Sequence, residues 1–215
     1  MNIKELVCEY VENCAIDEPI FIEDIKEAIL KKVGDSDKND NILKNVNVVL
    51  NRLKEDGNIK TPYKGVYYKP AISVFGEVPL NTNRLIERKY IKDKNENVKG
   101  YVTGAKLFNK LGLTTQVPNI TEIVTNECKY HKQYDEKLRT YIIKPRIKIT
   151  NENYLYLQFI DILENREKIN IEVENSDDIL YRYINEFKLS FEKIIKYARE
   201  TNKPKVLNRL YLLAR

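Results

Sequence analysis

GYVTGAKLFNKLGLTTQVP, residues 100–118, holds three of the seven glycines in this 215-residue chain and reads as a strand, a short helix and a second strand. Tyr101 and Val102 suit an extended segment, and Thr103 is placed to cap a helix over 105–111. Ala105, Leu107, Phe108 and Leu111 fall on roughly one face of that helix. Gly112 supplies a left-handed stop, and Leu113 follows where a Schellman motif folds an apolar side chain back onto the last turn. Thr114, Thr115, Gln116 and Val117 resume an extended run that Pro118 ends.

Upstream, Ile3, Leu6, Val7, Tyr10 and Val11 recur at helical spacing and predict a helix over 2–13. Pro19, Ile20 and Phe21 form a short extended lead into a second helix carrying Ile22, Ile25, Ala28, Ile29 and Leu30, which Gly34 and the polar run Asp35, Ser36 and Asp37 close. A third helix is expected over 40–56, stopped by Gly57, with Leu43, Val46, Leu50 and Leu53 inward and Ile42 and Val49 flanking them. Two short strands, 58–60 and 66–68, enclose a turn over 61–65 with a basic tip. Three helices followed by a hairpin is the order of a winged helix-turn-helix.

Pro70, Gly76 and Pro79 make 71–79 read as a linker. Beyond it the pattern predicts a helix over 80–90, a polar loop to residue 100 and, after the glycine stretch, a strand over 120–124. A polar turn over 128–137 and one or two strands over 138–150, broken at Pro145, complete the mixed part. The remainder reads as helical: one helix begins at Tyr154, a long amphipathic one runs from Ile179 to near Thr201, and a last one after Pro204 contains Val206, Leu207, Leu210, Tyr211 and Leu212. The fold class is therefore α+β, an N-terminal winged helix over 1–70 followed, after the linker, by a mixed α/β domain with a helical C-terminus over 80–215.

The succession Gly100, Tyr101, Thr103, Gly104, short helix, Gly112, Leu113, Thr114, Thr115, Gln116, Pro118 resembles the AbiEi family, antitoxins of type IV toxin–antitoxin (abortive infection) systems. The resemblance extends upstream to KGVYYKP, residues 64–70, with Gly65, Tyr67 and Tyr68, and covers about residues 1–150. It implies a winged-helix DNA-binding domain that represses its own operon, joined to a second domain with antitoxin activity against a nucleotidyltransferase-like toxin. Neutralisation in that family need not involve a stable toxin complex, so direct contact is not assumed. Taken by themselves, the motif positions shape the fold, and none reads as a catalyst.

Composition limits the alternatives. The chain is 42% hydrophobic and 32% charged, with apolar residues recurring periodically throughout, which argues for packed cores rather than disorder. No apolar run approaches the roughly 20 residues that span a bilayer, and acids stand where a signal peptide would carry basic residues, so a cytoplasmic location without a membrane partner is expected. Cys8, Cys14 and Cys128 lack a framework spacing for disulfides. Cys128 and His131 form an isolated C-x-x-H with no second pair to complete a tetrahedral zinc site, and His131 is the single histidine. No nucleophile motif, P-loop or dinucleotide fingerprint is present, so neither an enzyme nor a metal or cofactor is expected.

Charge is unevenly spread. Residues 1–37 carry four basic and ten acidic side chains, a balance of −6, whereas 38–70 carry seven basic and three acidic, a balance of +4. A winged helix places positive charge there, its third helix in the major groove of double-stranded operator DNA and its wing along the phosphates. With Val46 inward, Asn41, Lys44, Val48, Asn51 and Arg52 point outward and Asn45 lies on the flank. Asparagine pairs with adenine edges, arginine with guanine, and Val48 suits a thymine methyl, while Lys60, Tyr63 and Lys64 would contact phosphates. An inverted-repeat operator would call for two copies, as a dimer or as cooperative monomers.

In the second domain Lys137, Arg139, Lys144, Arg146 and Lys148 alternate with apolar residues and are expected to line one sheet face. That face reads equally as a second DNA contact, a docking surface for an acidic partner, or an edge charged against aggregation. Three functions fit the whole chain: an antitoxin and autorepressor, a stand-alone winged-helix regulator whose second domain dimerises or senses a ligand, and a nucleic-acid-modifying enzyme. The absence of a catalytic constellation weighs against the third, and the AbiEi resemblance favours the first.

Overall fold

Apolar side chains at helical spacing draw three helices around one seam in the N-terminal part of the chain. The computed structural model describes residues 2–34 and 39–213, and the chain divides into two units, Met1–Leu85 and Ile86–Arg215. Helix α1 (Ile3–Asn13) starts at Asn2, whose side chain accepts a hydrogen bond from the Lys4 amide at 3.0 Å. Strand β1 (Ile20–Phe21) leads directly into α2 (Ile22–Val33), and α3 (Asn39–Glu55) follows. The polar run 35–37 expected to close α2 lies outside the described residues. Val7, Ile25, Val46 and Leu50 are fully buried and share a core with Val11, Ile29, Ile42, Val49 and Ile59.

Two hairpins complete this unit. Strands β2 (Lys60–Tyr63) and β3 (Val66–Tyr68) join β1 in a sheet of order β1-β3-β2, all antiparallel. The turn is tighter than the five residues expected: β2 runs through Thr61, Pro62 and Tyr63, and only Lys64 and Gly65 turn, with Gly65 at φ +77°. The pairing slips between Lys60 and Tyr63, where Pro62 has no N–H to give the ladder. Residues 71–79 are not a linker. Strands β4 (Ala71–Ser73) and β5 (Gly76–Val78) pair antiparallel, and Glu77 binds the Lys60 ammonium at 2.6 Å and the Tyr68 hydroxyl at 3.2 Å. Proline and glycine here frame a hairpin, and the division of the chain falls at Leu85 rather than at 70–79.

The helix expected over 80–90 is a short α4 (Thr82–Ile86) followed by one π turn, Glu87–Ile91. In the second unit β6 (Gly100–Thr103) leads into α5 (Gly104–Lys110), and β7 (Thr121–Thr125), β8 (Lys132–Asp135) and β9 (Thr140–Ile143) complete a four-stranded sheet of order β6-β7-β9-β8. The β7–β9 pair is parallel and the other two are antiparallel. Helices α6 (Tyr154–Asn165), α7 (Ser176–Glu186), α8 (Phe191–Glu200) and α9 (Pro204–Leu213) follow. Phe108, Leu113, Phe159, Ile160, Leu163, Ile194 and Val206 form the buried centre where α5 meets them. Among the described residues no helix is long and apolar enough to cross a membrane.

Four further expectations are corrected. Residues 114–117 are not a strand, because side chains rather than a ladder satisfy their backbone: Glu172 accepts from the Thr115 amide and hydroxyl at 2.8 and 2.5 Å, and Asn109 donates to the Thr114 carbonyl at 3.2 Å. The polar 132–135 segment is a strand, held by β9. No strand follows Pro145 within 146–150. The long helix expected from Ile179 to Thr201 breaks at 187–190, where Lys188 turns left-handed at φ +51°, the Leu189 amide donates to the Ile184 carbonyl at 2.9 Å and Ser190 stands at the start of α8.

Two glycines end helices in the same way. Gly57 and Gly112, at φ +77° and +75°, donate to Lys54 and Asn109, and the next residues, Asn58 and Leu113, donate to Leu53 and Phe108, the paired bonds of a Schellman motif. Gly100 is demanded by space instead. A Cβ there would overlap the Tyr90 carbonyl oxygen and come within 2.8 Å of the Val124 carbonyl oxygen. We expect Gly100→Ala to lower unfolding free energy by about 1–3 kcal/mol, as overpacking against backbone does. Gly57→Ala, with open space around it, should cost only the left-handed penalty of about 1–2 kcal/mol. Urea unfolding followed by circular dichroism reads both.

Candidate nucleic-acid interface

Helix α3 has two sharply different sides. Val46 and Leu50 are fully buried and Ile42 and Val49 nearly so, and this seam faces α1 and α2 through Val7, Val11, Ile25 and Ile29. The opposite side carries Asn41, Lys44, Asn45, Val48, Asn51 and Arg52, every one exposed. Val48 stands 47% exposed in the middle of this polar face. Asn47 and Lys54 are exposed on the same helix and were not singled out from the sequence, although Asn47 sits one 100° step from Val46, as Asn45 does on the other flank. Among the described residues Lys44, Arg52 and Lys54 enter no ion pair. Arg52 and Lys54 also suit the last turn of a helix, where the backbone dipole favours cations.

The β2–β3 hairpin sorts its residues differently from expectation. Lys64 lies exposed on the two-residue turn, while Tyr63 is half-buried. Tyr67 and Tyr68 are buried, and the Gly65 carbonyl accepts from the Ile22 amide at 2.9 Å, so this part of the motif holds the sheet to the start of α2. Lys60 is engaged by Glu77 through both carboxylate oxygens, at 2.7 and 2.6 Å. That hydrogen bond raises the Lys60 pKa, and Lys60 in turn is the chief cause holding Glu77 below the usual carboxylate range. The local charge balance is thus one lower than a count ending at residue 70 implies. Lys69 is likewise occupied, donating to the Glu12 carbonyl at the end of α1 at 2.8 Å.

The motif of the second unit is a structural hub. Tyr101 and Thr103 donate through their hydroxyls to Asp161 on α6 at 3.0 and 3.4 Å. Thr103 therefore precedes α5 without capping it through its side chain. Lys203, just before α9, closes the network with contacts of 2.5 Å to both Asp161 and Glu164. Asp161 and Lys203 are each only 10% exposed at the side chain. Burial, and then the Asp161 carboxylate beside it, push the Tyr101 phenol well above its ordinary pKa. For Glu164 burial pulls upward, but Lys203 outweighs it and the carboxyl titrates below its ordinary value. Gly104 adopts φ +66°, and a Cβ there would require the end of the Glu122 side chain to shift. Leu113 and Thr114 are buried, whereas Thr115, Gln116 and Val117 are exposed and Pro118 is half-buried.

The expected second basic surface does not form a sheet face. Lys137 and Arg139 lie on the β8–β9 turn, and Lys144, Arg146 and Lys148 follow β9, so all five are exposed and none is in a strand. The physical reason is the short β9, which ends at Ile143 before Pro145. Arg146 has a fixed task, donating to the Thr201 and Asn202 carbonyls at 2.5 and 2.9 Å beyond the end of α8. Of the five, Lys144 and Arg146 line a cleft of about 680 Å³ together with Asp161, Lys203, Glu122, Lys132 and Lys168. The Cys128 thiol is buried and donates to the Tyr130 and Ile142 carbonyls at 2.9 and 3.3 Å, while His131 is exposed. No group of three His, Cys, Asp or Glu side chains able to hold a metal occurs among the described residues.

With that geometry in view, comparison with known families finds one match. Residues 26–132, from the middle of α2 to the start of β8, are similar to a family of unknown function (DUF6088). No curated protein matches the chain. The matched stretch includes most of α2, the exposed face of α3, both hairpins and the whole glycine motif, but stops short of the four C-terminal helices.

The Lys203 network makes a measurable claim. Lys203→Met leaves two partly or wholly buried carboxylates without their cation and should cost about 3–5 kcal/mol in urea unfolding, as loss of one partner from a buried pair does. Because Glu164 is depressed in the folded state, its contribution is present above the ordinary glutamate value of about 4.3 and is lost as pH falls through the lower native value. Wild-type stability should fall between about pH 5 and pH 3, and Lys203→Met should flatten that fall.

Proposed function

We propose that this protein is an antitoxin and transcriptional autorepressor of the AbiEi kind, binding operator DNA through a winged-helix first unit and countering a co-encoded nucleotidyltransferase-like toxin through the second. The observation that carries the DNA-binding half is the exposed side of α3: Asn41, Lys44, Asn45, Val48, Asn51 and Arg52 in one polar face, backed by a buried seam that fixes its direction. The order α1-β1-α2-α3-β2-β3, with a three-stranded sheet and Lys64 exposed on the β2–β3 turn, supports reading this unit as a winged helix. In that reading α3 lies in the major groove, Asn and Arg meet base edges, and Lys44 and Lys64 meet phosphates. Lys60 contributes less than its position suggests, because Glu77 must release it first.

The antitoxin half rests on the resemblance of the glycine motif, whose Tyr101 and Thr103 anchor the sheet to α6 through Asp161. No catalytic step is assigned to this chain, and it acts in the cytoplasm in this reading. Two copies on an inverted repeat, as a dimer or as cooperative monomers, would match a symmetric operator.

A salt-series titration on the duplex upstream of the gene tests the DNA-binding half. Lys44→Ala and Lys64→Ala should each weaken binding at low salt and reduce the slope of log affinity against log salt by about 0.9 for every phosphate no longer neutralised. Asn51→Ala should instead lower discrimination between the cognate site and base-substituted duplexes, with the slope unchanged. Unaltered affinity in all three would refute the assignment of α3 and the hairpin. Co-expression with a neighbouring nucleotidyltransferase-like protein tests the other half: growth rescued by this chain supports the antitoxin, and failed rescue with promoter binding intact makes the chain a stand-alone regulator.

A further inference from the structure

The β4–β5 hairpin carries three of the most exposed large apolar side chains in the described chain: Ile72, Val74 and Phe75, at 90%, 94% and 98%. Isolated exposed apolar residues are ordinary, but three at one protruding turn are not. The tip is also ordered by its own bonds. The Ser73 hydroxyl donates to the Gly76 carbonyl at 2.9 Å and accepts from the Phe75 amide at 3.2 Å, which pins Val74 and Phe75 at the two turn positions. Those positions favour Asn-Gly or Asp-Gly in a hairpin built for stability alone. No charged residue lies in 71–76. The hairpin is a two-stranded sheet of its own, and side-chain bonds from Glu77 to Lys60 and Tyr68 tie its base to the preceding hairpin, which carries Lys64 on its turn.

We propose that this tip is a wedge for the minor groove of the duplex that α3 reads, inserting Phe75, with Val74 beside it, against a base step. The proposal rests on the DNA-binding reading above and adds to it a second contact of different chemistry. Proteins that enter the minor groove place apolar side chains between base steps, partly unstack them and bend the duplex, while flanking cations hold the phosphates. The hairpin has that composition: an uncharged apolar end next in the chain to a segment, 38–70, with seven basic and three acidic residues, of which Lys60 is held by Glu77 and Lys69 by the Glu12 carbonyl while Lys64 stands exposed on the neighbouring turn. A second copy of the chain is a poorer occupant, since three side chains offer at most roughly 500 Å², below the about 800 Å² per partner of a stable interface.

The test uses the full-length protein and a duplex from the gene's own upstream region carrying a fluorophore at each end. Wild type should bring the ends closer on binding. Phe75→Ser, and Val74→Ser with Phe75→Ser, should abolish the bend and weaken binding about tenfold, with an unchanged melting temperature because neither side chain touches a core. Lys44→Ala should weaken binding while the complexes that do form remain bent. Serine variants that bind and bend like wild type overturn the wedge and leave the DNA-binding reading standing. Light scattering without DNA that shows wild type dimeric and the serine variants monomeric overturns it in favour of self-association. Failure of wild type to bind any upstream duplex removes the DNA-binding reading and the wedge together.

Discussion

Burial of Val46 and Leu50 is the constraint on which the first unit depends. Both side chains are fully removed from solvent against α1 and α2, and each is worth about 1.5–3 kcal/mol of transfer free energy. Once they are inside, the rotational setting of α3 is no longer free, and the polar side has only one direction to point. Asn41, Lys44, Asn45, Val48, Asn51 and Arg52 owe their common exposure to the side chains buried on the opposite side of the helix. A helix whose hydrophobic stripe were weaker could roll and spread those groups over a wider arc.

Asp161 plays the corresponding part in the second unit. It gathers a strand, Tyr101 and Thr103, and the cation that precedes the last helix, Lys203, into one buried polar centre. Such a centre is stable only when complete, since any member left alone bears the full cost of desolvation. This accounts for the polar Tyr101 and Thr103 inside the glycine motif. The glycines have separate reasons: Gly112 for its left-handed helix stop, Gly100 for the carbonyls of Tyr90 and Val124 pressed against it, and Gly104 for its positive φ beside Glu122.

Periodicity made the helices of the first unit legible, together with the outward set on α3 and half of its inward set: Val46 and Leu50 are buried as expected, whereas Leu43 and Leu53 are half-buried and the expected flanks Ile42 and Val49 lie in the core. It worked because those helices bury one face against near neighbours, so the 3.6-residue repeat survives in the sequence. Elements of two to five residues were less legible. The β8 strand, Lys132–Asp135, has polar residues along its length and is a strand because β9 pairs with it. The stretch 114–117 has strand-like residues, yet its backbone is satisfied by Asn109 and Glu172, the second 57 positions away from Thr115 in the sequence. The break at Lys188 was hidden because apolar spacing continues across it.

The α+β character, the helix-ending glycines and the reversal of charge after residue 37 can be read off the chain alone, the first two because each is a property of neighbours within a turn or two and the third because charge simply adds along a segment. Tertiary structure alone decided that residues 71–79 form a hairpin with an apolar tip, that Glu77 neutralises Lys60, that Arg146 serves a distant helix end, and that Tyr101, Thr103 and Lys203 meet on Asp161. Apart from the hairpin, whose partners are sequence neighbours, those outcomes depend on groups from 17 to 60 positions apart finding each other. Local spacing carries no record of such meetings, since the free energy that selects them comes from desolvation and pairing across the fold.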